Sequence, residues 1–163
     1  MSEYTHIIHP FEPCYDQNSK ILILGSLPSV KSREEGFYYG HSRNRFWKML
    51  SMVWNEPVPV TTEEKKQFVI AHHLALYDAI YSCDIIGSAD STIRNVVPAD
   101  ISMIMQNSSV GKILLNGRTA EKYFKKYQPE KYQGYICTMP STSPANAAVS
   151  LDELVQCWKT HLE

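Results

Sequence analysis

Four short apolar runs along the chain have the length and composition of buried β-strands. They are rich in Ile, Leu and Tyr, and polar stretches long enough to hold a helix separate them. The run at 76–83 is ambiguous by its period, and its Ile and Tyr content favours a strand. The pattern predicts strands at residues 20–24, 76–83, 111–117 and 135–140.

Between these runs, apolar residues recur at helical spacing. Thr61 or Thr62 is the predicted N-cap of one such segment, because glutamates follow in its first turn. Pro98 is expected at the start of another, and Ser150 with Glu153 forms a capping box at the start of the last. The predicted helices span residues 43–55, 61–76, 98–107, 118–127 and 150–163.

The alternation of strands and helices indicates the fold class. It is typical of an α/β protein, here a three-layer doubly wound domain with a mainly parallel central sheet of about four strands. No internal repeat, low-complexity tract or linker is present, so we expect a single domain over residues 1–163. Ligands of such sheets bind beyond the carboxyl ends of the strands. The loops expected there are residues 25–42, 116–118 and 140–148.

The composition excludes several classes of protein. Of the 163 residues, 44% are hydrophobic and 20% are charged, as in ordinary soluble globular proteins. The apolar runs are too short to cross a bilayer and the N-terminus lacks the features of a secretory leader, so we expect a cytoplasmic protein. The cysteines at positions 14, 83, 137 and 157 are too dispersed for a metal or iron–sulfur motif. We expect reduced thiols, no metal and no other cofactor.

The distribution of charge along the chain leads to a different expectation about partners from the net charge. The net charge is −1, which by itself argues against a nucleic-acid partner. Residues 21–50, however, carry five cations against two glutamates, and residues 112–131 carry six against two. Such asymmetry makes one face of a nearly neutral protein attractive to phosphates. For residues 112–131, a solvated helix face is the favoured explanation.

Two segments that follow the first strand carry candidate chemistry. Gly25, Ser26, Leu27 and Pro28 form a Gly-x-x-Pro exit that can bring backbone N–H groups towards a ligand, although a simple structural turn explains it equally well. The sequence lacks the Gly-Lys-Ser/Thr ending of a phosphate-binding P-loop. The aromatic loop at 36–41 follows, and a flat base can stack on one of its rings while the others fill the core.

Asn44 and the loop at 139–147 each allow two interpretations. Asn44 lies between two arginines where a helix begins, so it either makes the helix-entry hydrogen bond or binds a water molecule or a ligand edge. Two prolines stiffen the later loop, which carries Ser141, Thr142 and Ser143. These hydroxyl groups either contact phosphates or stabilise a rigid loop.

These candidate segments, in the order in which they follow one another along the chain, resemble the motifs of the uracil–DNA glycosylase superfamily. "GSLP", "GFYYGH", "NRFWK" and "MPSTSPANA" match motifs of that superfamily from Ile21 to about Asn146. The mismatch-specific branch has a catalytic Asn at the position of Leu27. The hypoxanthine–DNA glycosylase branch is more similar, and its catalytic Asn maps to Asn44. The resemblance implies a monofunctional DNA-deoxyinosine glycosylase.

The resemblance also implies roles for the other candidate residues. Asn44 is expected to be catalytic and Tyr39 to stack on a flipped base. The expected pocket comprises Gly25, Ser26, Leu27, Pro28, Tyr39, His41, Asp78 and Asn116. The expected DNA contacts are Arg43, Arg45, Lys48, Ser141, Thr142, Ser143, Ala145 and Asn146, with Ala145 and Asn146 entering the vacated helix.

The expected partner is DNA that contains a deaminated base, bound by a monomer. Hypoxanthine is the expected base, and uracil or another deaminated base is the alternative within the same fold. A non-catalytic nucleic-acid-binding module remains a second alternative, because Leu27 cannot orient water.

Overall fold

The computed structural model describes residues 3–163, so the first two residues of the predicted domain lie outside it. Seven strands and seven α-helices lie within these residues. The strands are β1 Thr5–Ile8, β2 Ile21–Gly25, β3 Leu74–Asp78, β4 Ile80–Ile85, β5 Arg94–Pro98, β6 Lys112–Asn116 and β7 Ile136–Met139. The helices are α1 Val30–Glu35, α2 Phe46–Trp54, α3 Thr62–Ala71, α4 Ser102–Gln106, α5 Arg118–Tyr127, α6 Glu130–Gln133 and α7 Leu151–Leu162.

A four-stranded parallel sheet in the order β3-β2-β6-β7 forms the centre of the fold. Leu22, Ile23 and Leu24 of β2 are fully buried. A continuous apolar run is typical of a strand that is covered on both faces, because helices flank a parallel sheet on each side. The predicted α/β class with a mainly parallel sheet is confirmed.

A second sheet, antiparallel and in the order β1-β4-β5, was not predicted. The predicted strand at 76–83 covers parts of β3 and β4, which are separated by Ala79. The N–H of Ala79 donates to the carbonyl of Gly25 at 2.8 Å, and the N–H of Ile80 donates to that of Ser26 at 3.0 Å. The chain therefore passes from one sheet to the other beside the loop that leaves β2.

Two predicted helices are shorter than their apolar pattern indicates. The segment 61–76 is helical only to Ala71, and Leu74–Asp78 forms β3 because this apolar run is buried within the parallel sheet. The segment 98–107 is helical only over Ser102–Gln106, so Pro98 does not begin a helix. It ends β5 opposite Ile80. Proline is tolerated there because β5 is an edge strand.

Local capping residues set several helix boundaries. Ser29 caps α1, a helix that the pattern did not predict, and Gly36 ends it in a left-handed conformation with φ of 77°. Thr61 caps α3, and Ser150 with Glu153 forms the predicted capping box of α7. Helix α2 packs against α7, with the rings of Phe46 and Trp158 edge to face at 6.2 Å.

No helix within residues 3–163 combines the length and the apolar character needed to span a membrane.

Candidate active site

A cleft of about 1630 Å³ lies at the carboxyl edge of the parallel sheet. Gly25, Asp78 and Asn116 are the last residues of β2, β3 and β6, and all three line it. The cleft is therefore located where a parallel sheet places its ligands. The other predicted pocket residues also line it, namely Ser26, Leu27, Pro28, Tyr39 and His41, and so does Asn44, the predicted catalytic residue.

Gly25 allows two side chains to approach the backbone closely. It is in register with Asp78 on the neighbouring strand. A Cβ atom on Gly25 would lie 2.6 Å from Oδ1 of Asp78 and 3.1 Å from the hydroxyl of Tyr39. Both distances are shorter than ordinary contacts, so any larger residue at this position would displace one of the two side chains.

Tyr39 contributes an aromatic ring and a hydroxyl to the wall of the cleft. Its ring stacks on Phe46, with centroids 3.9 Å apart and planes inclined at 26°, so one face of the ring is covered. Within residues 3–163, its buried hydroxyl has no hydrogen-bond partner. Burial raises the pKa of this hydroxyl, nearby Asp78 raises it further, and the Asn116 amide acts in the opposite direction. The hydroxyl is therefore a neutral donor at physiological pH.

Asn44 makes the helix-entry hydrogen bond and also faces the cleft. Its Oδ1 accepts from the N–H of Phe46 at 3.0 Å and from the hydroxyl of Thr142 at 2.8 Å. These donors occupy both lone pairs of the oxygen and define the orientation of the amide. Nδ2, which makes no hydrogen bond within residues 3–163, is the group left to meet a ligand.

Thr142 joins Asn44 to Asn116. Its hydroxyl accepts from Nδ2 of Asn116 at 3.1 Å, and its N–H donates to Oδ1 of Asn116 at 3.0 Å. The residue is 0% exposed. The hydroxyl of Thr142 is thus buried and engaged on both sides, an arrangement that suits the positioning of Asn44 and Asn116 and differs from the predicted contact with a phosphate.

Arg45 holds the loop that follows β7. Its guanidinium donates to the carbonyl oxygens of Val149, Asn146 at 2.9 Å and Ser143 at 3.5 Å. Its backbone N–H donates to the carbonyl of Thr142 at 3.1 Å. The half-buried side chain thus stabilises the loop, which is a different role from the predicted grip on a phosphate.

The remaining predicted DNA contacts differ in exposure. Arg43, Lys48 and Ala145 are exposed, while Ser141, Ser143 and Asn146 are half-buried. Arg43 and Lys48 lie outside the wall of the cleft, whereas the loop residues line it. The loop residues therefore belong to the cleft, and the two exposed cations do not line it.

Leu27 and His41 line the cleft in different ways. Leu27 is half-buried and packs against an apolar cluster that includes Ile80 and Tyr123. His41 is exposed, and its Nδ1 accepts the N–H of Arg43 at 3.0 Å. Leu27 thus contributes apolar wall, and Nε2 of His41 remains available as a donor.

The sequence pattern did not indicate one residue of this region, His9. Its Nε2 lies 2.8 Å from Oδ2 of Asp78, 69 positions away along the chain. No spacing connects residues so far apart, so only the folded chain reveals the pair. Within residues 3–163, no group of His, Cys, Asp or Glu side chains has the arrangement of a metal site.

The family model described as the uracil DNA glycosylase superfamily matches residues 12–161. The chain belongs to this superfamily. The match includes the end of each parallel strand that lines the cleft, so the superfamily assignment and the site geometry concern the same part of the molecule. At the level that this membership supports, the protein is a DNA glycosylase.

Curated relatives and a solved structure of this superfamily cover most of the chain. A hypoxanthine DNA glycosylase of Methanosarcina acetivorans is 32% identical over 86% of this chain and 89% of its own length. The protein of that name from Methanosarcina barkeri is 28% identical over 83% and 86%. The solution NMR structure of a candidate uracil DNA glycosylase from Methanosarcina acetivorans aligns with a TM-score of 0.78 at 30% identity, covering 93% of this chain and 96% of that one.

Proposed function

We propose that this glycosylase removes hypoxanthine from DNA by hydrolysing the N-glycosidic bond of deoxyinosine. The observation that carries the proposal is the free Nδ2 of Asn44, held at the cleft by Thr142 and Asn116. The names of the curated relatives support hypoxanthine as the base.

The target base has to leave the duplex before it can enter the cleft. One face of the Tyr39 ring is covered by Phe46, so the base stacks on the other face. Stacking on an aromatic ring contributes about 1–3 kcal/mol per base. Gly25, Ser26 and Pro28 form the adjacent wall.

In the reaction, the bond between C1′ and the base nitrogen breaks and its electron pair leaves with the base. The sugar becomes oxocarbenium-like, and water adds to C1′ and then loses a proton to solvent. A donor aimed at the departing base stabilises the charge that develops on it. Nδ2 of Asn44 is this donor, because both lone pairs of Oδ1 are already occupied.

Leu27 supports a substrate whose base departs readily. Its apolar side chain cannot hold or activate water, so the enzyme depends on stabilising the leaving base. Hypoxanthine carries a carbonyl that spreads the charge of the departing ring. Stabilisation of the leaving group is therefore sufficient for a slow hydrolysis.

DNA binding is assigned to the margin of the cleft. Arg43 and Lys48 are exposed and neutralise phosphates, and Ser141 and Ser143 contact the backbone through the loop. Ala145 is an exposed residue of this loop and enters the space that the flipped nucleotide leaves, with Asn146 beside it. We expect the enzyme to act as a monomer.

Labelled duplexes that contain hypoxanthine, uracil or xanthine test the proposal. After incubation, alkali cleaves each abasic site, so strand scission reports base removal. Scission at hypoxanthine supports the proposed substrate. Scission at uracil alone would favour the second candidate function, a uracil DNA glycosylase. The description of the solved relative as a candidate uracil DNA glycosylase supports this alternative. DNA binding without any scission would indicate a non-catalytic module.

A further inference from the structure

A buried histidine and a buried aspartate form a pair behind the cleft. The exposed fractions of the His9 and Asp78 side chains are 0% and 4%, and Nε2 lies 2.8 Å from Oδ2. The imidazole packs among the rings of Phe11, Tyr38 and Tyr77, with centroids between 4.9 and 6.0 Å away. The backbone N–H of His9 also donates to the carbonyl of Tyr81 at 2.7 Å. The ring is thus held in one position.

The hydrogen bonds of His9 determine where the protons lie. Its Nδ1 is 2.8 Å from the carbonyl oxygen of Phe11, which only accepts, so Nδ1 carries a proton. One further proton then lies between Nε2 and Oδ2 of Asp78. It belongs either to an imidazolium that donates to a carboxylate or to a carboxylic acid that donates to a neutral imidazole. In both arrangements, Oδ2 is occupied and the pair has no net charge.

The other carboxyl oxygen of Asp78 is left as an acceptor in both arrangements. Oδ1 lies at the end of β3 beside Gly25, where a Cβ atom would be 2.6 Å away. The same Cβ position is 3.1 Å from the hydroxyl of Tyr39, a buried donor without a partner within residues 3–163. An acceptor and a donor therefore lie next to each other in the wall of the cleft.

An adjacent acceptor and donor complement the edge of a lactam. Deamination replaces an exocyclic amine with a carbonyl and places a proton on the neighbouring ring nitrogen. That nitrogen is an acceptor in adenine and cytosine and a donor in hypoxanthine and uracil. A fixed acceptor therefore binds the N–H that deamination creates and is left unpaired against the parent amine base, adenine or cytosine.

We propose that His9 is a positioning residue that holds Oδ1 of Asp78 as the acceptor for the lactam N–H of a flipped, deaminated base. The inference rests on the proposed function and deepens it by naming the contact that selects the deaminated base. It also separates two roles, since Asn44 acts on the leaving group and the His9–Asp78 pair acts on base identity.

Binding to uncleavable duplexes tests this selectivity without turnover. A 2′-fluoro sugar prevents hydrolysis, and duplexes carrying hypoxanthine or 1-methylhypoxanthine at this position differ in the lactam N–H. Fluorescence anisotropy gives, for each protein, the dissociation constant for the 1-methylhypoxanthine duplex divided by that for the hypoxanthine duplex. We expect a ratio of about ten or more for the wild type, because methylation removes a hydrogen bond and leaves an acceptor unpaired. The methyl group also alters base pairing within the duplex. This effect is the same for every protein, so it cancels when the ratios of the variants are compared on the same two duplexes.

The variants separate positioning from a structural role. Asp78→Ala and His9→Phe should lower the ratio at least fivefold, since one removes the acceptor and the other frees it to rotate. Asp78→Asn should keep the ratio within about threefold of the wild type, because its amide N–H₂ donates to neutral His9 and leaves Oδ1 in place. His9→Gln, which can still meet Oδ2, should retain most of the ratio and serves if His9→Phe does not fold.

Any of four results would overturn the inference: a wild-type ratio near one, an unchanged ratio in Asp78→Ala, an unchanged ratio in a folded His9→Phe, or a lost ratio in a folded Asp78→Asn or His9→Gln. Circular dichroism and thermal melting establish that each variant is folded. Loss of scission with ordinary duplexes would instead overturn the proposed function, because the uncleavable duplexes report on binding alone.

Discussion

The hydroxyl of Thr142 donates a hydrogen bond to Oδ1 of Asn44 across 2.8 Å, joining residues 98 positions apart. Thr142 belongs to the loop after β7, and Asn44 precedes α2. The bond orients the amide so that Nδ2 faces the cleft, and it connects the loop assigned to DNA with the residue assigned to catalysis.

Asn44→Asp is expected to lower the rate of hypoxanthine release about 10²- to 10³-fold, because it replaces the donor at Nδ2 with an oxygen. The substitution keeps the oxygen that accepts from Phe46 and Thr142. Single-turnover kinetics measure the rate. Asn44→Ala should lose a similar factor in rate and about 1 kcal/mol of unfolding free energy with the helix-entry hydrogen bond. Near-normal activity of Asn44→Asp would show that amide donation is not required.

Thr142→Val should lower both activity and stability. The nearly isosteric side chain leaves Nδ2 of Asn116 without its acceptor and removes one donor to Asn44. We expect a loss of about 1–3 kcal/mol in the free energy of unfolding in urea. Thr142→Ser keeps the hydroxyl and is the matched control. Equal rates for the Val and Ser variants would contradict a positioning role of the hydroxyl.

Tyr39→Leu should weaken binding to a duplex with an uncleavable deoxyinosine by about 1–3 kcal/mol, because it removes the ring on which the base stacks. Tyr39→Phe keeps the ring and its contact with Phe46. It should therefore retain the stacking contribution and lose only the hydroxyl donor. Titration by fluorescence anisotropy distinguishes the variants. A Leu variant that binds as tightly as the Phe variant would place the base elsewhere.

Gly25→Ala is expected to destabilise the protein by about 1–3 kcal/mol and to obstruct the cleft. The new Cβ would lie 2.6 Å from Oδ1 of Asp78. Gly111→Ala is the control, because no atom lies within 4 Å of the Cβ position there. Thermal melting and single-turnover rates measure the two effects. If both alanine variants behaved alike, the close approach at Gly25 would have no consequence.

Arg43 and Arg45 should differ in the salt dependence of DNA binding. Arg43→Gln removes an exposed cation and should reduce the slope of log K against log salt by about one. Arg45→Gln should leave the slope unchanged, because its guanidinium is bound to carbonyl oxygens of Ser143, Asn146 and Val149. It should instead make the loop more sensitive to limited proteolysis. A reduced slope for Arg45→Gln would show that this residue contacts a phosphate.

Local pattern was sufficient for the elements whose energetics are local. Helix α5 has the predicted boundaries because its apolar stripe recurs at helical spacing, and α7 begins at its Ser150 capping box. The apolar run of β2 predicted a buried strand. The antiparallel sheet was missed because β1 and β5 are mostly exposed and carry no strong alternation. Pairing with β4 stabilises them, and pairing partners are not visible in a local window.

The sequence by itself determined the fold class, the strand ends that face the cleft and the resemblance that pointed to Asn44. These depend on composition, period and motif order, which a linear chain contains. The tertiary structure alone revealed the hydrogen-bond partners of Thr142, Arg45 and His9. Their hydrogen bonds join residues between 69 and 104 positions apart, and burial makes each bond strong enough to define an orientation.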